Sequence, residues 1–120
     1  MDLNFRQGRF ETALRDSAAF LEDSIRNLSG LPSNLVGVRL AEQAFAPAPS
    51  GPLTDPGEHA GEAAGLQRLF MGFFGAVHNR VAHTEFHYQD PKEAFQILML
   101  VDFLTGKLDE AAQRQSKTLT

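Results

Sequence analysis

The sequence predicts an all-α fold, a small four-helix antiparallel bundle. Apolar residues recur at steps of three and four in four separate stretches of the 120-residue chain. No stretch alternates apolar and polar residues over enough length to make a convincing strand. One segment rich in proline and glycine, 46–57, parts the first two helical stretches from the last two.

The first helix is expected over 10–28. Phe10, Leu14, Ser17, Leu21, Ile25 and Leu28 form its stripe, widened by Ala13, Ala18 and Phe20. Glu11 and Arg15 stand four apart, as do Glu22 and Arg26, in the order that favours surface ion pairs. These charges read as a solvated face. Gly30 suits the position just past the helix end, and Pro32 stops any continuation. A shorter helix is expected over 33–45, capped by Ser33 or Asn34, with Leu35, Val38, Leu40, Ala41 and Phe45 as its apolar positions.

Segment 46–57 holds four of the six prolines and two glycines, so it reads as a loop, either a flap or a mobile connection. The third helix is expected from Glu58 to His78, with the stripe Ala63, Leu66, Phe70, Phe73 and Val77. Leu69, Met71 and Phe74 make its second half apolar nearly all round, the pattern of a central, buried helix. Gly61, Gly65, Gly72 and Gly75 each lower helix propensity, by about 1 kcal/mol relative to alanine. Close approach of another backbone, above all at Gly72 and Gly75, would compensate.

The last helix announces itself with Asp90 as N-cap, Pro91 in the first turn and Glu93 completing a capping box. Ala94, Leu98, Val101, Leu104 and Leu108 make its stripe, backed by Phe95, Ile97 and Met99, and 113–120 is a polar tail expected to fray. Together these elements make residues 1–120 one domain.

Composition narrows the function classes. There is no cysteine, which excludes disulfides, thiolate zinc sites and a cysteine nucleophile. A net charge of −4 with a pI near 5.5 counts against non-specific nucleic-acid binding, which needs many phosphate contacts. Any RNA-directed reading therefore rests on a few focused residues. No signal peptide and no membrane span is visible, so a soluble, cytoplasmic protein is expected.

The chemistry concentrates at the end of the third helix. Gly75-Ala76-Val77-His78-Asn79-Arg80-Val81-Ala82-His83 follows an almost wholly apolar run and carries two of the four histidines. Histidine titrates near neutrality and serves as acid or base. Equally, His78 reads as a cation at a helix C-terminus, and His83 as a donor to a backbone carbonyl. Asp102 stands inside the apolar last helix, facing solvent or reaching His78 or Arg80 across the bundle. His78, His83 and His87, with Asp90 or His59, offer enough zinc ligands, but their spacings match no zinc signature. No metal and no cofactor is assigned.

Ordered this way, the chain resembles the HEPN superfamily of all-α domains and, more narrowly, its Ymh-like branch. The resemblance rests on Phe10-Glu11-Thr12-Ala13 and Glu22 to Leu31 in the first helix, then Gly37, Leu40, Ala44 and Phe45. Its strongest part is Gly65 to Ala82, with Leu69-Phe70-Met71-Gly72 and Asn79, leading to His83. Asp90, Glu93-Ala94 and Leu108-Asp109 complete it. The resemblance implies a domain that pairs into homodimers. Many members are metal-independent endoribonucleases of toxin or antiphage defence systems, working with RNA and an antitoxin or other protein partner; others are inactive dimerisation or interaction modules. The Ymh-like branch usually carries Arg-Asn-Pro-x-Ala-His, and here the window reads His78-Asn79-Arg80-Val81-Ala82-His83. Asn79 and His83 match, His78 stands where arginine is expected, and Arg80 where proline is. On this basis His83, His78 and Asn79 are candidate catalytic residues and Arg80 a candidate substrate-binding residue. A dimer with facing windows would bring these groups together in pairs.

Overall fold

In the computed structural model, the backbone is described for residues 3–78 and 91–118, and side chains for residue 9, 12–77 and 92–117. The described residues form helices α1 (Leu3–Ser29), α2 (Gly37–Ala44), α3 (Ala60–Phe73) and α4 (Pro91–Thr118), with a π-helical turn, Phe74–His78, continuing α3. All four expected helices are present, and no strand occurs among the described residues.

α1 begins seven residues before the expected Phe10, at Leu3, and so runs through Gly8, which weakens a local helix signal without ending it. It stops where the sequence places its end. Gly30 takes φ +70°, a left-handed conformation that favours glycine, and its N–H reaches the Arg26 carbonyl at 3.0 Å. Leu14, Ala18, Leu21 and Ile25 are buried as the stripe requires, whereas Phe20 is exposed.

The expected local cap of α2 is replaced by a long-range one. The helix starts at Gly37, not Ser33, and its preceding residue, Val36, has no side chain able to cap. Glu22 of α1 fills the gap: its Oε1 accepts from Gly37 N–H at 3.0 Å and from Arg26 Nη2 at 3.3 Å. Arg26 Nη2 also donates to Leu35 O at 3.1 Å. The Glu22–Arg26 pair is therefore a clasp on the 30–36 connection, not only a solvated face. Glu22→Ala is expected to cost about 2 kcal/mol, because it leaves a buried-side donor without its acceptor, and Glu22→Gln, which keeps an acceptor, is expected to cost less. Urea midpoints of the two variants read the difference, and equal losses would contradict the capping role.

The pairing of the long helices differs from the expected antiparallel order. Leu14 packs with Ala94 and Leu98, while Gln115 Nε2 donates to Leu28 O at 2.8 Å, so α1 and α4 run parallel. The 30–36 connection runs back along α1, as the Arg26–Leu35 and Glu22–Gly37 bonds show, so α2 does not act as a full returning arm. α3 runs against both neighbours. Gln67 donates to Glu42 O, and Gly75 approaches Val38, which sets it antiparallel to α2. Val77 packs with Ala94 and Leu98, while Leu66 shares a cleft with Lys107 and Arg114, which sets it antiparallel to α4.

The core gathers Leu21, Ile25, Leu40, Phe45, Phe70, Phe74 and Leu104, with the Phe45 and Phe70 rings stacked at 4.4 Å and 11°. α3 is not buried all round, since Leu69 and Gly72 are exposed. Among the described residues no backbone crosses at Gly65 or Gly72, where an added Cβ would meet nothing within 4 Å.

Segment 46–57 is a folded loop rather than a flap. Leu53 is 2% exposed, and its N–H reaches Ala44 O at 2.9 Å. Thr54 Oγ1 closes the loop on Ala46 O. Arg114 Nη2 holds Leu53 O at 3.0 Å. That anchor comes from the segment expected to fray: α4 continues to Thr118, because Arg114 and Gln115 find backbone acceptors on other elements.

Candidate functional site

The third helical stretch changes its geometry four residues before His78. Phe74 N–H is shared between the carbonyls of Phe70 and Met71, and the five residues Phe74–His78 wind as a π-helix. Phe73 and Phe74 are both buried and meet edge to face at 5.3 Å and 75°. The wider turn shifts the helical phase by about one residue, and such turns concentrate at functional sites. Its end is held in place, because Val77 packs against Leu14 of α1 and Ala94 of α4. No local periodicity announces a five-residue π turn, so the sequence carries no signal for it beyond the adjacent Phe73-Phe74 pair.

His78 is the last residue of this turn. It closes the apolar helix one residue after Val77, which packs against the first halves of α1 and α4. Asn79, Arg80 and His83 lie outside the described residues, as do the side chain of His78, the whole of His87, and Asp90 with its expected capping role.

Two other polar residues singled out by the sequence have plain structural positions. Asp102 is on the exposed side of α4, as its solvent-facing reading expects. His59 heads α3, its Nδ1 accepting from Gly61 N–H at 3.1 Å, so it performs the work of an N-cap. Among the described residues no three histidines or carboxylates gather in a way that would hold a metal ion.

Three clefts lined by described residues lie at the other end of the bundle. One of about 170 Å³ is bounded by Phe45, Asp55, Glu58, Leu66, Lys107 and Arg114. Its basic groups are engaged with their own neighbours. Arg114 holds Leu53 O and lies 4.0 Å from Asp55, and Lys107 reaches Glu110 at 3.5 Å. This is a polar seam that fastens the 46–58 loop, separated from His78 by about 18 Å of helix from Leu66 onward.

Family membership can be set against this geometry. A family model described as "Protein of unknown function (Hypoth_ymh)" matches residues 1–108. The chain belongs to the Hypoth_ymh family. No curated protein and no solved structure matches it. The Ymh match takes in α1, α2, α3, the π-helical turn, the whole His78–His83 window and α4 as far as Leu108. It stops before Arg114 and Gln115, so the loop anchor and the α4–α1 bond lie beyond the part of the chain that the Ymh family model covers. Among the described residues no helix is long and apolar enough to cross a membrane.

Proposed function

We propose that this Ymh-family chain is a HEPN-like domain that cleaves RNA without a metal, as a divergent endoribonuclease of a toxin or antiphage defence system in the cytoplasm. The observation that carries the reading is the place of the polar window. Asn79, Arg80 and His83 follow directly on a π-helical turn that ends at His78 and is packed between α1 and α4. A histidine-bearing segment issuing from a braced, irregular helix end suits a site that must keep its geometry.

The chemistry asks for three things. A base removes the 2′-hydroxyl proton, the resulting oxygen attacks the neighbouring phosphorus, and an acid protonates the departing 5′-oxygen, leaving a 2′,3′-cyclic phosphate. His83 and His78 are the acid–base pair in this reading, since imidazole exchanges protons near neutral pH. Asn79 orients a histidine or the phosphate. Arg80 supplies cationic donors to the charge that develops at phosphorus, the role left open by the histidine at position 78. The functional unit is a homodimer, held in check by an antitoxin or another protein partner.

A second reading has one specific observation in its favour: His78 stands where the branch carries arginine. On that reading the domain is a catalytically silent HEPN-like module for dimerisation or protein interaction.

Incubating the purified chain with single-stranded and structured RNA in EDTA separates the two. The enzyme reading expects cleavage that survives EDTA and falls by at least about 100-fold both in His83→Ala and in His78→Arg, because a guanidinium exchanges no protons near neutral pH. A folded wild-type chain that cleaves neither RNA gives the case to the interaction module. Cleavage abolished by EDTA and restored by zinc would replace the acid–base mechanism with a metal-dependent one.

A further inference from the structure

The 46–58 loop borders two adjoining clefts. One of about 170 Å³ lies against α4, and one of about 210 Å³ lies against Pro47, Ala48 and Ala64. Phe45, Thr54, Asp55, Glu58 and Ala63 border both, so the two meet along these residues. Their walls are held by the chain itself. Leu53 N–H on Ala44 O, Thr54 Oγ1 on Ala46 O and Arg114 on Leu53 O fix the loop, and Phe45 is fixed by its stack on Phe70. A ligand would meet a site that is already formed. Each cleft is smaller than the roughly 300 Å³ at which sites for drug-sized ligands begin, so the occupant is small.

The charges around the clefts do not balance among themselves. Lys107 turns to Glu110 at 3.5 Å and stands over the exposed Phe103 ring at 5.4 Å. Arg114 is taken up by Leu53 O, and lies 4.0 Å from Asp55 Oδ2. Glu58 is left over. It is half-buried and borders both clefts, and among the described residues its carboxylate has no hydrogen bond or ion pair. It does not cap α3 either, since His59 Nδ1 takes Gly61 N–H there. A half-buried carboxylate without a partner favours a cation brought to it.

Two more acceptors border both clefts. Thr54 Oγ1 donates to Ala46 O and keeps its own lone pairs, and Asp55 Oδ1 is used by Gly57 N–H at 2.9 Å while Oδ2 is not. An alkylammonium is the matching group, with one positive charge, three donors and no acceptor. The apolar wall of Phe45, Pro47, Ala48 and Ala64 suits its carbon chain. A metal ion fits less well, since among the described residues no three carboxylates or histidines gather to hold one. We propose that the two clefts together bind a small primary aliphatic amine as its ammonium ion. The nitrogen sits at Glu58 with Thr54 and Asp55 beside it, and the chain lies along Pro47 and Ala64. Such an amine, like the lysine side chain, is protonated at neutral pH. With so few atoms, its affinity is expected to be about 0.1–1 mM. The inference does not rest on RNA cleavage, and its readout is binding, so the two can fail independently.

Chemical-shift titration of the whole chain with n-pentylamine at neutral pH is the test, carried to about 20 mM so as to exceed that affinity. Saturable shifts at the amides of Glu58, Ala63 and Ala64 are expected. n-Pentanol, of the same shape without the charge, should bind at least about 10-fold more weakly, and pentanoate not at all. Glu58→Gln should weaken amine binding at least about 10-fold with an unchanged thermal midpoint, because the carboxylate holds nothing within the chain. Ala64→Phe should weaken it by filling the apolar end while Glu58 remains. Glu62→Gln removes a nearby carboxylate that borders neither cleft, and should leave the affinity within about twofold of wild type. A titration that does not saturate overturns the proposal. So does equal affinity for the alcohol, or for the amine in Glu58→Gln, because the ammonium would then have no partner. A loss in Glu62→Gln as large as in Glu58→Gln overturns it by revealing general attraction to an acidic chain, and an unaffected Ala64→Phe overturns the placement of the carbon chain.

Discussion

Phe70→Ala is expected to lower stability by about 3–5 kcal/mol, a third or more of what a domain of this size usually has. Phe70 has no exposed surface, and its ring is stacked on Phe45, which is itself the residue that ends α2. Truncation removes the ring and leaves a cavity between α2 and α3 that neither neighbour can fill. Gln67 ties α3 to Glu42 O on one side, and Leu53 N–H ties the following loop to Ala44 O on the other. A thermal midpoint roughly 12–20 °C lower is the expected reading, with a lower urea midpoint and little change in its slope. A fall of less than 5 °C would mean that the Phe45–Phe70 stack is not the centre of the core.

The second large effect is expected from Gly51→Ala, a change that adds one methyl group. Gly51 is buried in the turn where the 46–57 loop doubles back. A Cβ at this position would overlap the Ala46 carbonyl oxygen and press on Ala46 N and Thr54 Oγ1. Two of those atoms are backbone and cannot rotate aside. The loop must open to admit the methyl, and opening it costs the Thr54–Ala46 bond, the burial of Leu53 and the grip of Arg114 on Leu53 O. Overpacking of this kind and exposure of one leucine together come to about 3 kcal/mol or more. Arg114→Ala, which removes only the outer grip, is expected to cost about 1 kcal/mol. Thermal unfolding of the pair gives the order, and a milder effect at Gly51 than at Arg114 would contradict the packed turn.

Much of the helical plan was legible. The stripes Leu14–Leu21–Ile25 and Val101–Leu104–Leu108 are buried as their spacing requires, and Gly30 ends α1 in the left-handed conformation that its position suggested. What misled was the absence of any local sign of tertiary partners. Phe95 and Met99 were counted with the core, because apolar character marks a residue that gains from burial without naming the surface that buries it; both face outward. The 113–120 tail was expected to fray because its residues are polar, yet Arg114 and Gln115 are polar in order to reach Leu53 O and Leu28 O. The prolines of segment 46–57 mark a loop, while its closure depends on Gly51 and Thr54 packing on Ala46 and on Leu53 meeting Ala44 and Arg114. For the candidate site, the sequence located the window by its residues and the structure added the π-helical turn that leads into it.

The sequence by itself determined which segments are helical, where α1 stops, that α4 begins with Pro91, and that the chemistry-bearing residues cluster after an apolar helix. These follow from short-range periodicity, caps and composition, which act within a few residues. Only the tertiary structure decided that α1 and α4 lie parallel, that Glu22 caps a helix fifteen residues away, and that the helix before His78 leaves regular α geometry. Each of these is fixed by contacts between segments distant in the chain, where direction and register are set by which buried side chains fit together rather than by any local preference. The window that the sequence marked at His78 acquires its physical setting from those contacts: a braced π turn held between the first halves of two parallel helices.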